Sequence, residues 1–120
     1  MIEGYFGTKG ELYFEIELIA ADGSAIAVNA LLDTGFTDWL AMNTQDIDSL
    51  GWSYIRSREM YTAGGDAEFN LYAGTMILDG QEFAVPVLGG EEITEFLIGL
   101  QWLETRRLVV DRKAGLLTLD

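Results

Sequence analysis

From Glu11 to Ala20 the chain alternates, with Leu12, Phe14, Ile16 and Leu18 on one parity and Glu11, Tyr13, Glu15 and Glu17 on the other. A period of two is that of a strand with one buried face. Asp22-Gly23 predicts a turn, and Ile26, Val28, Ala30 and Leu32 repeat the alternation, so the two segments predict a hairpin. Trp39 to Met42 reads as a short apolar strand, after which Asn43 or Thr44 can cap a brief helix ending near Leu50, with Gly51 as its stop. Residues 53 to 62 and 67 to 78 read as two more strands around a tip without bulk, Ala63-Gly64-Gly65-Asp66. Asp79-Gly80 turns into a strand from Gln81 to Leu88, and Gly89-Gly90 is expected to break the chain. Phe96-Leu97-Ile98-Gly99 then leads to a short helix around Gln101 to Thr105. Two last strands, Leu108 to Asp111 and Leu116 to Leu119, flank a turn at Arg112 to Gly115. The expected class is all-β with one or two short helices.

An internal repeat is visible when Phe14 to Met42 is set beside Phe69 to Leu103. Each copy runs strand, Asp-Gly turn, strand, an apolar pair leading to Gly, and then Trp-Leu. The apolar pair is Leu31-Leu32 before Asp33-Thr34-Gly35 in the first copy and Leu97-Ile98 before Gly99 in the second. One copy carries an acid there and the other does not.

That acid is the candidate chemistry. Asp33 leaves an apolar strand, which predicts a low-dielectric floor around its carboxylate; Thr34 offers a hydroxyl to neighbouring backbone, and Gly35 permits close approach of a substrate or a second chain. An aspartic peptidase presents its acid in this way, but it needs two carboxylates sharing one proton. The remaining aspartates (22, 38, 46, 48, 66, 79, 111 and 120) include no second Asp-Thr-Gly or Asp-Ser-Gly. A homodimer whose two-fold axis passes between the Asp33 side chains would supply the missing acid, because an isologous contact places like residues together.

Composition agrees. With 120 residues the chain is expected to form a single domain, 1–120, too short for two packed halves of a peptidase. No apolar run approaches the roughly 20 residues that span a bilayer, and Met1-Ile2-Glu3-Gly4 carries neither a basic leader nor a sustained apolar stretch, so a soluble, cytoplasmic protein without a membrane partner is expected. Zero histidine and zero cysteine exclude His-dependent triads, thiol nucleophiles and His- or Cys-based metal sites. No Ser stands three positions before either lysine, Lys9 or Lys113, so a serine-lysine pair is unsupported, and no metal or cofactor is expected. The net charge of −13 argues against nucleic acid and fits a neutral or basic polypeptide substrate; it also predicts that two copies repel each other at neutral pH and low salt.

The residues quoted match a known family: the chain resembles the single-domain, retropepsin-like aspartic proteases, small bacterial members as well as retroviral ones. The matches are Leu31-Leu32-Asp33-Thr34-Gly35, the glycine-tipped hairpin at Gly64-Gly65, and Leu97-Ile98-Gly99 before a short helix, in the family's order and over nearly the whole chain. The resemblance implies a closed barrel-like β fold, a homodimer with the active site at its interface, and hydrolysis of peptide bonds in extended substrates by a water held between two aspartates. By position, Asp33 would be the catalytic acid, Thr34 would bond across the two-fold axis, and Gly35 would offer its carbonyl to substrate backbone. Residues around 61 to 68, with Ala63, Gly64, Gly65 and Asp66 at the tip, would form a flap over the cleft. Leu97, Ile98 and Gly99 would support the active-site loop from beneath.

There are departures. Thr37 and Leu100 stand where retroviral members carry an acid and an arginine that pair with each other, so both partners are missing together. Phe36 replaces a small residue and narrows the expected pocket. In retroviral members the chain ends knit the dimer into a sheet, whereas the C-terminal segment here is longer.

Plainer readings stand beside these. Asp33 could cap a turn, Gly64-Gly65 could be an ordinary hairpin tip, Trp39, Trp52 and Trp102 could be packing residues, and Arg106, Arg107, Arg112 and Lys113 could balance charge in an acidic protein. Three classes follow: a homodimeric aspartic endopeptidase, a peptide-binding or dimerisation module with little or no turnover, and a purely structural acidic β domain.

Overall fold

The computed structural model describes residues 1–62 and 64–120, with Thr62 described by its backbone alone. The expected tip residue Ala63 lies outside the described residues. In chain order the elements are β1 (Ile2–Glu3), β2 (Tyr5–Phe6), β3 (Leu12–Ile19), β4 (Ala25–Leu32), β5 (Leu40–Asn43), α1 (Thr44–Leu50), β6 (Ser53–Thr62), β7 (Gly65–Leu78), β8 (Gln81–Gly90), β9 (Phe96–Ile98), a 3-10 helix (Leu100–Glu104), β10 (Leu108–Asp111) and β11 (Leu116–Leu119).

The alternation in β3 buries Phe14, Ile16 and Leu18, as expected. Along β4 it holds only for the second half: Ala30 and Leu32 are buried, whereas Ile26 is 45% exposed because the strand's start runs out beyond the core. The β7–β8 turn follows from two residues with positive φ, Asp79 at 55° and Gly80 at 73°, the backbone that a two-residue hairpin loop between right-twisted strands requires. Helix α1 is capped as expected: the Asn43 side chain accepts from the Gln45 N–H, and Gly51 closes the helix in the left-handed region. Asn43 Nδ2 also donates to the Glu91 and Ile93 carbonyls, tying the helix start to the loop after β8.

Six strands close a barrel in the order β3-β4-β9-β5-β8-β7, because β7 also pairs with β3. Pairs β4–β9 and β5–β8 are parallel; the other four are antiparallel. Closure leaves the barrel without an edge of its own. The internal repeat becomes spatial at the seam. Leu31 and Leu32 of the first copy pair with Leu97 and Ile98 of the second, and the Trp102 indole donates to the Trp39 carbonyl at 2.9 Å with the two rings edge to face. Trp102 and Trp52 are buried, in keeping with a packing role.

Gly89-Gly90 does not break the chain: both residues continue β8, pairing with β5 and Gly89 also with Asn70 of β7. Their lack of a side chain answers a packing demand. A Cβ on Gly89 would stand 2.7 Å from Ile47 Cδ1 and from the Tyr72 ring, and one on Gly90 would stand 2.8 Å from the Phe69 ring. The short helix is also shifted and tighter than expected, a 3-10 turn that begins directly after Gly99.

The chain ends form a separate three-stranded sheet in the order β1-β11-β10. Ile2 and Glu3 of β1 pair with Leu119 and Thr118 of the same chain, so the longer C-terminal segment folds back as a hairpin and takes up its own N-terminus. Asp79 anchors this region, accepting from the N-terminal ammonium at 2.6 Å and from Arg106 at 3.3 Å. The ammonium first, then Arg106, hold the Asp79 carboxyl below its usual range. Of the basic cluster, Arg106 pairs with Asp79 and Arg107 with Asp120. Among the described residues no helix is long and apolar enough to cross a membrane.

Candidate active site

The loop from Asp33 to Asp38 joins β4 to β5, and strand β9 holds it from below. The Asp33 N–H donates to the Ile98 carbonyl at 3.0 Å, the Phe36 N–H closes a turn onto the Asp33 carbonyl at 3.1 Å, and the Leu100 N–H donates to the Phe36 carbonyl at 2.9 Å. Gly99 is what lets these chains approach. A Cβ there would stand 2.5 Å from the Phe36 carbonyl oxygen and closer still to that of Asp38. Of the three expected support residues, Ile98 and Gly99 touch the loop backbone directly, whereas Leu97 pairs with Leu31 of β4 and Ala41 of β5.

Within the loop the Gly35 N–H donates to Asp33 Oδ1 at 2.8 Å, a charge-assisted bond that orients the carboxylate. Asp33 is half-buried, while Thr34, Gly35 and Thr37 are exposed. The low-dielectric floor expected around Asp33 is thus incomplete within one chain: β4 buries Leu32 beside it, and the far side of the loop stays open. The second carboxylate of the loop, Asp38, is engaged by Arg58 of β6, with Arg58 Nη1 2.7 Å from Asp38 Oδ2. Among the described residues, Asp33 is thus the carboxylate of this loop that has no ion-pair partner.

Beside Gly35 lies an apolar pocket of about 370 Å³ lined by Phe36, Met60, Phe69, Leu88 and Leu97 among others. Phe36, which the sequence placed here as a narrowing residue, is 8% exposed and packs with Ala41, Leu71 and Leu88. The pocket's upper wall comes from the β6–β7 hairpin. Its ladder to β8 stops at Asn70↔Gly89, and among the described residues beyond it β6 and β7 are laddered to each other from Arg58↔Phe69 to Thr62↔Gly65, so the hairpin projects over the loop. Gly64 lies in its turn, but Gly65 and Asp66, expected at the tip, already belong to β7, paired with Thr62 and Tyr61.

Sequence reasoning missed Asp38, Arg58, Met60 and Phe69. Their signal was present in part: Arg58 and Met60 share a parity in β6 and so face the same side. What a period cannot say is which distant residue that side meets.

No family model matches this sequence, and no curated protein matches it at the level of sequence. Solved structures do match. A retropepsin-like aspartic protease from Rickettsia conorii superposes with a TM-score of 0.65 at 19% identity, covering 97% of this chain and 86% of the other. The EIAV protease, in an inhibitor complex, gives 0.65 at 20% identity over 88% of this chain and 98% of the other. The simian foamy virus (mac) protease gives 0.55 at 18% identity over 80% and 99%. The chain has the retropepsin-like fold.

Proposed function

We propose that the protein is an aspartic endopeptidase whose active site forms when two copies bring their Asp33 loops together. The observation that carries this reading is the loop itself: a carboxylate oriented by the Gly35 N–H, pinned below by Ile98 and Gly99, with Thr34 and Gly35 exposed beside it. The structural neighbours, two of them proteases of viruses and one of a bacterium, support it at the level of fold.

In the dimer the two Asp33 carboxylates would share one proton, since like charges about 3 Å apart cannot both ionise. The ionised member takes a proton from the bound water as its oxygen attacks the scissile carbonyl, and the protonated member donates to the carbonyl oxygen. The tetrahedral adduct collapses as the protonated carboxyl gives its proton to the leaving nitrogen and the ionised one takes a proton from a hydroxyl of the adduct, so the dyad ends with the one proton it began with. Thr34 would bond across the axis, the Gly35 carbonyl would take substrate backbone, and the β6–β7 hairpin would serve as a flap that keeps water out. The apolar pocket favours extended, largely hydrophobic substrate segments.

The second reading, a peptide-binding module with little turnover, draws on the terminal sheet. Because β1 pairs with β11 of its own chain, the chain ends are less free to knit two copies together than in retroviral members.

The deciding experiment incubates concentrated protein and its Asp33→Asn variant with an unbiased peptide mixture from acidic to neutral pH, with products read by mass spectrometry and dimer verified by sedimentation in the same samples. Cleavage by the unaltered protein alone is the expected result. Equal silence from both, with dimer present, would shift the reading to the binding module.

A further inference from the structure

Resting on that peptidase reading, we infer that Arg58 and Asp38 are positioning residues for substrate binding: their ion pair clasps the overhanging β6–β7 hairpin to the loop that carries Asp33.

Past Asn70 no ladder joins the described residues of the hairpin to the barrel, and an isolated two-stranded ribbon is marginal on its own. Met60 and Phe69 rest on the cluster of Phe36, Ala41 and Leu88, but apolar contact is non-directional and sets no register of hairpin against floor. The Arg58–Asp38 bond, at 2.7 Å, supplies direction. Its two ends differ in mobility. Asp38 belongs to a loop held by Ile98, Leu100 and the close approach of Gly99, whereas Arg58 stands on the edge strand of the eight-stranded sheet, opposite Phe69. The rigid end is therefore the reference, and the hairpin is what the pair positions. Both side chains are partly exposed, 33% for Arg58 and 26% for Asp38, so salt screens the bond and the hairpin can open. Loss of the pair frees the hairpin without disturbing Asp33, and the effect falls on KM more than on kcat.

Two measurements on the 120-residue chain test this. Hydrogen exchange of backbone amides across residues 57–69, which needs no catalysis, is compared for the unaltered protein, Arg58→Ala, Asp38→Asn, the double variant, and the charge swap Arg58→Asp with Asp38→Arg. Each single variant is expected to raise exchange in the hairpin about two- to fivefold, the range of a partly exposed ion pair, with the double variant no faster than the singles and the swap restoring protection. Peptide hydrolysis should show KM rising by a similar factor in each single variant, kcat nearly unchanged, and a salt dependence of KM that the variants lack. Unchanged hairpin exchange, additive single effects, or a fall in kcat at constant KM would each overturn the clasp. If the exchange pattern appears while the unaltered protein cleaves nothing, the clasp stands and the peptidase reading fails.

Discussion

Leu32 of β4 and Ile98 of β9 lie side by side in parallel register, and the amide of the next residue, Asp33, donates to the Ile98 carbonyl at 3.0 Å. Both side chains are buried, at 4% and 0% exposure, so the strand end that delivers Asp33 is held by its neighbour's backbone as well as by the core. The two apolar pairs of the sequence repeat thus meet each other, one bearing the acid and the other its support.

Gly99 is the point at which this support is most sensitive. Gly99→Ala forces a methyl group against two carbonyl oxygens of the loop, Phe36 and Asp38, neither of which is a flexible side-chain end. A loss of about 1–3 kcal/mol is expected, the usual cost of excess volume in a packed site, together with loss of peptidase activity. Gly80→Ala is the control. Its φ of 73° carries only the strain of a left-handed residue, about 1–2 kcal/mol, with nothing within 4 Å of the added atom, and activity per folded molecule should be retained. Thermal melts and a peptide assay on both variants check this; equal activity loss in the two would show that proximity to the loop is irrelevant.

Phe36 restricts the pocket beside Gly35. Phe36→Val should enlarge it and raise kcat/KM for peptides with large aromatic side chains relative to those with small aliphatic ones. The stability cost should stay below the 3–5 kcal/mol or so of a fully buried Phe→Ala change, since the ring lines an open pocket. Competition between two peptides in one tube reads the ratio directly, and an unaltered ratio would remove Phe36 from the specificity of the site.

Asp79 sets a pH dependence whose sign follows from its partners. The N-terminal ammonium and Arg106 depress its folded pKa below the usual 3.8, so its contribution is present above that value and is lost as pH falls through the folded pKa. Asp79→Asn keeps a residue that tolerates the positive φ, and should lower Tm at neutral pH while the difference from the unaltered protein shrinks below about pH 4. Melting curves from pH 2.5 to 7 test it; a constant difference across that range would contradict the linkage.

Charge should govern association. With a net charge of −13 per chain, two copies repel at neutral pH and low salt, and self-association is expected to tighten as carboxylates protonate or as salt screens them. Sedimentation at pH 4.5 and 7.5, each at low and high salt, should show the dissociation constant falling along both axes. A constant insensitive to both would mean that the interface is set by contacts that carry no charge.

Much of the architecture was legible because local pattern and tertiary burial agree. The alternation in β3, the Asp-Gly turn between β7 and β8, the caps Asn43 and Gly51, and the last two strands follow from residue type and spacing alone. The exceptions share one cause. Gly89 and Gly90 read as a break because glycine lacks strand propensity, yet they sit in a strand where the Tyr72 and Phe69 rings need the room. Strands β1 and β2, two residues each, have no period to detect and exist only because Leu119, Thr118, Tyr13 and Leu12 are there to pair with them.

By itself the sequence determined the all-β class, the order of the elements from β3 onward, the exit of Asp33 from an apolar strand and the glycine behind it, all of which depend on neighbours within a few positions. The tertiary structure alone decided that β7 returns to β3 to close the barrel, that the chain ends pair within one molecule, that Asp38 meets Arg58, and which apolar residues gather beside Gly35. Those relations join residues far apart in the chain, and hydrophobic periodicity records which face a residue turns inward but carries no information about what it meets there.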